Sequence, residues 1–146
     1  MKKLLLLLGI TVFSANVTAT STLDQAKLNT VAKLYENQDL ELYLTDSFAK
    51  LQFRAIDIYN QDVAYEGNGE SFSGCNDAFD LAPVQYGKPM LNIAKNNVNA
   101  TFKGNKNITL SYQFECKKGK CLISDVITEK KRSHKKYLVS CIKAFK

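Results

Sequence analysis

Val98-Asn99-Ala100-Thr101-Phe102 and Ile108-Thr109-Leu110-Ser111-Tyr112-Gln113-Phe114, joined through the turn residues Gly104-Asn105-Lys106-Asn107, decide the fold of this chain. In both runs apolar and polar residues alternate. Successive side chains of a strand point to opposite faces, so one set lies against a core and the other meets water. Leu91 and Ile93 begin the strand pattern ahead of Val98, and Leu122 to Ile127 forms a third strand after Lys117-Lys118-Gly119-Lys120, a second turn. The second half of the chain therefore reads as an antiparallel meander.

Helical periodicity lies on either side of it. Thr22-x-x-Gln25 has capping-box spacing, and Leu28, Val31, Ala32 and Tyr35 follow at i, i+3, i+4 and i+7. A second helix is predicted to start after Thr45 or Asp46 and end near Asn60, with Phe48, Leu51, Ala55, Ile58 and Tyr59 on one stripe. Between the two, Leu40, Leu42 and Leu44 read as a short extended connection or as the lead-in to the second helix. A last helix carries Tyr137, Leu138, Cys141, Ile142 and Phe145 as its apolar stripe beside Lys135, Lys136 and Lys143. Helices first, a curved antiparallel sheet next and a C-terminal helix make the fold class α+β. Glu66 to Gln85, broken by Gly67, Gly69 and Gly74, is the least regular stretch and reads as a loop.

The chain has 146 residues, 45% of them hydrophobic, which suits one globular domain and leaves no room for a large two-domain enzyme. Residues 1–19 have the pattern of a secretory signal peptide: Lys2 and Lys3, an apolar stretch from Leu4 to Phe13, and the small-residue site Val17-Thr18-Ala19. That apolar stretch is shorter than the roughly 20 residues a membrane-spanning helix needs. The expectation is a single domain over residues 20–146 in the bacterial periplasm, with no stable membrane insertion. Charge is unevenly spread. Thr20 to Ala82 holds eleven acidic and four basic residues, whereas Pro83 to Lys146 holds three acidic and fourteen basic. Faces of opposite sign that partly pair are the expected result.

Four cysteines in an oxidising compartment read as two disulfides, for which three connectivities exist. Cys116 and Cys121 flank the Lys117–Lys120 turn and are placed to meet across paired strands. That choice leaves Cys75 for Cys141, closing a long loop at a gain of roughly 4 kcal/mol in the unfolded-state entropy model. The spacing matches no paired zinc-ligand pattern, so no metal and no cofactor are expected.

The ending Gly119-Lys120-Cys121-Leu122-Ile123-Ser124-Asp125-Val126-Ile127 resembles the G-x-W-x-I-x-D-I close of nuclear-transport-factor-2-like domains, with Cys121 in place of the usual aromatic. With the amphipathic helices, the Asp77-Ala78-Phe79-Asp80 loop and the meander, the layout is similar to that of small bacterial envelope proteins built on such a domain. The resemblance implies a cone-shaped (cystatin-like) α+β domain and no catalytic residues.

The chemistry-bearing residues are sparse. The single histidine, His134, sits inside Lys130-Lys131-Arg132-Ser133-His134-Lys135-Lys136 and reads as part of a solvated helix start. Asp77 and Asp80, with Glu66 and Glu70 nearby, have the residue types of a carboxylate pair or a cation site, although loop acids are ordinarily solvated. No phosphate-binding or dinucleotide fingerprint is present. The basic runs would suggest nucleic acid in a cytoplasmic protein, but export argues against that partner. The leading expectation is a non-enzymatic binding protein, most concretely an immunity protein that neutralises a periplasm-acting toxin, its partner being a secreted toxin or an envelope enzyme. Lys117, Lys118 and Lys120 on a disulfide-closed hairpin form the first candidate surface; Glu66, Glu70, Asp77 and Asp80 form the second. The alternatives are an envelope protein holding a ligand on the concave face of the sheet and, third, a small hydrolase.

Overall fold

Ser21 starts the first helix, α1 (Thr22–Asn37). Its backbone is extended, and its hydroxyl accepts the Asp24 amide at 3.1 Å, satisfying one of the four amides that a helix start leaves free. The cap thus falls one residue before the Thr22 expected from the sequence, because Ser21-x-x-Asp24 is itself a capping pair. Gln38, in the left-handed conformation, closes the helix by donating its amide to the Leu34 carbonyl. A computed structural model describes residues 20–65, 73–79 and 87–145.

Leu40–Tyr43 is a single helical turn, α2, and the chain straightens only at Leu44, which forms a parallel bridge to Ile123. The next helix, α3 (Asp46–Tyr65), runs five residues beyond the expected end at Asn60. No glycine or proline interrupts the sequence before Gly67, so nothing there forces a stop. Part of the stretch read as a loop, Ser73–Phe79, is 3-10 helix.

Four strands, β1 (Met90–Ala94), β2 (Asn97–Phe102), β3 (Ile108–Lys117) and β4 (Lys120–Ile127), pair antiparallel in chain order. The stretch from Leu91 to Phe102 is two strands, folded back at Lys95-Asn96, where Lys95 takes a positive φ of 58°. In the β3–β4 pairing Gln113 faces Asp125 while Phe114 faces Ile123, leaving Ser124 as an extra residue in β4. This bulge keeps both Ile123 and Val126 on the buried face. The last helix, α4 (His134–Ala144), follows a tight turn over Thr128–Arg132.

The helices meet the sheet through one continuous apolar core. Val98, Ala100 and Phe102 of β2, Leu110 and Tyr112 of β3, and Ile123 and Val126 of β4 form its floor. Val31 and Leu34 of α1 and Phe48, Ala55 and Ile58 of α3 cover it. Tyr35 stands edge-on to Phe102 and Tyr112 and shares a hydroxyl–hydroxyl hydrogen bond with Tyr112. Burial pushes both phenols above their ordinary range. The opposite sheet face is polar, with the Thr101 and Thr109 hydroxyls 3.1 Å apart. The fold is α+β: N-terminal helices, a four-strand antiparallel meander and a C-terminal helix packed together. Among the described residues no helix is long and apolar enough to cross a membrane. The N-terminal segment read as a signal peptide lies outside the described residues.

Candidate functional site

Two places gather the chemistry-bearing residues, and the sequence separates them poorly. The first is the β3–β4 hairpin. β2 pairs with β3 only as far as Tyr112, so Gln113–Lys117 continues without a β2 neighbour, a reach of about 13 Å at strand geometry. Lys117 pairs with Lys120, and Lys118 and Gly119 between them both take positive φ, 50° and 78°. This is the two-residue turn whose twist matches that of the flanking strands. Gly119 meets the requirement without a Cβ penalty, whereas Lys118 bears it. One pair behind the tip, Cys116 and Cys121 face each other and are joined, with Cα atoms 4.1 Å apart. The pairing agrees with the turn reading. Lys117, Lys118 and Lys120 are all exposed, and among the described residues none of them has an ion-pair partner. Among the described residues the acidic and basic halves of the chain make no ion pair with each other; the one ion pair there is Lys27 with Asp24, at 3.5 Å.

A cleft lined by Leu23, Lys27, Gln113, Phe114 and Cys116 lies along β3, and two further clefts flank the hairpin base and share Lys120 and Leu122. One opens toward α1 and α2, the other toward the start of α3.

The second place is the start of α4. Asp125 at the end of β4 organises it. The Asp125 carboxylate accepts the Val126 amide at 2.7 Å, the Lys135 amide at 2.9 Å and the Ser133 hydroxyl. Ser133 in turn accepts the Lys136 amide at 3.0 Å as the helix cap. His134, read as solvated, is instead buried, with 2% of its surface exposed. Its Nε2 donates to Gln52 Oε1 at 3.1 Å, and the Gln52 amide nitrogen donates to the Ala78 carbonyl. The ring lies against Tyr137 and edge-on to Phe48. Burial lowers its pKa from 6.5 to about 4, opposed by the Asp125 and Asp77 carboxylates and the Ala78 carbonyl. The correction has a simple cause: residues 134, 137, 138, 141 and 145 share one helical stripe, and α3 and the 3-10 segment cover it.

The 3-10 segment is fastened here three times. Cys75 is joined to Cys141, the Asp77 amide donates to the Tyr137 hydroxyl at 3.0 Å, and Ala78 takes the Gln52 bond. Asp77 is exposed; its expected companions Asp80, Glu66 and Glu70 lie outside the described residues. His134 is held by Gln52 and packed by Phe48 and Tyr137, and all four cysteines are paired.

Fold and geometry together define a doubly disulfide-linked α+β chain that presents a disulfide-closed, lysine-bearing hairpin. No family model, no curated protein and no solved structure matches the chain.

Proposed function

We propose that this chain is a non-enzymatic binding protein of the bacterial envelope, exported by its N-terminal segment. Most concretely, it is an immunity protein that neutralises a periplasm-acting toxin by inserting the β3–β4 hairpin into an acidic cleft. One observation carries the reading: three exposed lysines, one on a two-residue turn and two flanking it, sit beside a disulfide one pair away. Such a tip loses little conformational freedom on docking, which is the main way a small interface gains affinity. Its charges also accelerate encounter with an acidic partner. Two disulfides fit an oxidising compartment. Long helices laid on an antiparallel meander are in keeping with the nuclear-transport-factor-2-like layout, and that family assignment is part of the proposal.

The test begins with a photo-crosslinker in place of Lys118. The adduct formed in the source cell envelope is identified, and the captured protein is purified and assayed. One-to-one inhibition of a secreted toxin or envelope enzyme, abolished in Lys117→Glu/Lys118→Glu/Lys120→Glu, is the expected result. A captured protein bound with unchanged affinity by that triple variant overturns the hairpin reading.

A further inference from the structure

We propose that the cleft between α1, α2 and the hairpin base is the second half of the partner-binding surface. Its occupant is a loop of the partner protein carrying one aliphatic or aromatic side chain flanked by carboxylates. The inference rests on the hairpin reading above and names what lies beyond the tip.

The clefts beside the hairpin differ in charge, and the one along β3 has a single cation, Lys27, already paired with Asp24 at 3.5 Å. The one toward α3 sets Lys117 and Lys120 against Asp46 and Glu115, two cations against two anions. The cleft toward α1 and α2, about 310 Å³, is lined by Lys33 and Lys120 and by no acidic residue. An acidic segment guided by the lysine tip therefore meets attraction on the α1–α2 side, and on the α3 side carboxylates that repel it. Glu41, next to Leu42 in sequence, does not line the cleft.

Leu42 supplies the apolar component. On the single turn of α2 its neighbours Tyr43 and Leu44 are buried, yet Leu42 is 56% exposed. It stands in the cleft with Ala26 of α1 and Leu122 of β4. A large aliphatic side chain left in water in a concave surface that also holds two cations, Lys33 and Lys120, has the composition of an interface anchor, an apolar centre with charge at its rim. Two backbone carbonyls of this β4 edge are already engaged: Cys121 accepts the Thr30 hydroxyl at 2.9 Å, and Ile123 accepts the Thr45 amide at 2.8 Å. With this edge of β4 occupied, the partner is read by side chains and not by added strand pairing.

The experiment uses fluorescein-labelled Asp-Glu-Leu-Asp-Glu as the probe, its Asp-Glu-Gly-Asp-Glu counterpart as control, and the oxidised protein. The Leu probe is expected to saturate with a Kd of about 1 mM or tighter, and the Gly probe to bind roughly tenfold more weakly. Leu42→Ser and Lys33→Glu, both at exposed positions, should each weaken the Leu probe by about fivefold or more, with thermal melting unchanged. Glu115→Lys should alter it by less than about twofold. Equal binding of the two probes, or no saturation, overturns the inference. A silent Lys33→Glu combined with marked tightening by Glu115→Lys also overturns it, placing the occupant in the other cleft. Lys117→Glu/Lys118→Glu, which leaves Lys120 in place, separates the two claims. If it weakens both probes while Leu42→Ser has no effect, the hairpin reading stands and the cleft inference falls. If it changes neither, the hairpin reading falls.

Discussion

The hairpin tip and the start of α4 are written in nearly the same residues, Lys117-Lys118-Gly119-Lys120 in one and Lys130-Lys131-Arg132-Ser133-His134-Lys135-Lys136 in the other. They take opposite roles. At the tip every lysine is exposed, and the disulfide beside it spans only five residues of sequence. At the start of α4, Ser133 caps the helix and His134 is drawn into the core. Lysine density does not distinguish the two; the residues between the lysines do. A glycine at positive φ turns the chain outward, whereas a serine followed by histidine starts a helix whose apolar stripe faces inward. The disulfides repeat the contrast. Cys116–Cys121 stiffens a surface element, while Cys75–Cys141, across 66 residues, fastens a helix to the body of the domain.

The largest expected effect tests the second of these. Cys75→Ala/Cys141→Ala should cost about 4 kcal/mol, against roughly 2 kcal/mol for Cys116→Ala/Cys121→Ala, because the loop released is far longer. Denaturant unfolding of both double variants measures the ratio, and equal losses would erase the distinction between staple and stiffener. The next effect belongs to His134. Its folded pKa of about 4 lies below the ordinary 6.5, so between those values the unfolded chain binds a proton that the folded chain refuses. Stability is therefore full above pH 6.5, falls as the pH drops toward 4, and levels off below it with respect to this group. The total is up to about 3 kcal/mol. His134→Gln should flatten that segment of the stability–pH curve, and a persisting slope would assign it to the carboxylates. Asp125→Ala removes the acceptor for the Val126 amide in β4 and for the Lys135 amide and Ser133 hydroxyl at the start of α4, and should cost about 2 kcal/mol. Calorimetry reads it, with helix loss by far-ultraviolet circular dichroism. The smallest is at the tip: a Cβ on Gly119 meets no atom within 4 Å, but φ of 78° strains it, so Gly119→Ala should cost about 1 kcal/mol. Hydrogen exchange should rise there at the hairpin amides alone.

Strand alternation, the basic turn and the three helical stripes make the sheet, the hairpin and the order of elements legible. The disulfide pairing followed once the hairpin was placed, because Cys116 and Cys121 bracket a turn too short to leave them apart. What stayed hidden depended on distant partners. His134 owes its burial to Gln52 and Ala78, far away in the sequence, although its place in the stripe with Tyr137, Leu138 and Cys141 was an available signal, outweighed by the surrounding lysines. The fold-back at Lys95-Asn96 lacks the glycine that usually marks such a turn and is made by a left-handed lysine and an asparagine, a weak signal in sequence. The exposure of Leu42 could not be foreseen either, since Leu40, Leu42 and Leu44 carry one alternating pattern and only the helical turn of α2 separates them.

The most direct test of the account is to reverse each basic run separately and titrate both variants against the partner captured through Lys118, with thermal melting recorded alongside. Lys117→Glu/Lys118→Glu/Lys120→Glu should weaken binding by about tenfold or more, and Lys130→Glu/Lys131→Glu/Arg132→Glu by less than about twofold. Both variants should melt within a few degrees of the parent. Equal losses from the two reversals, or a larger loss from the second, would contradict the claim that the hairpin is the contact surface and the α4 run a helix start.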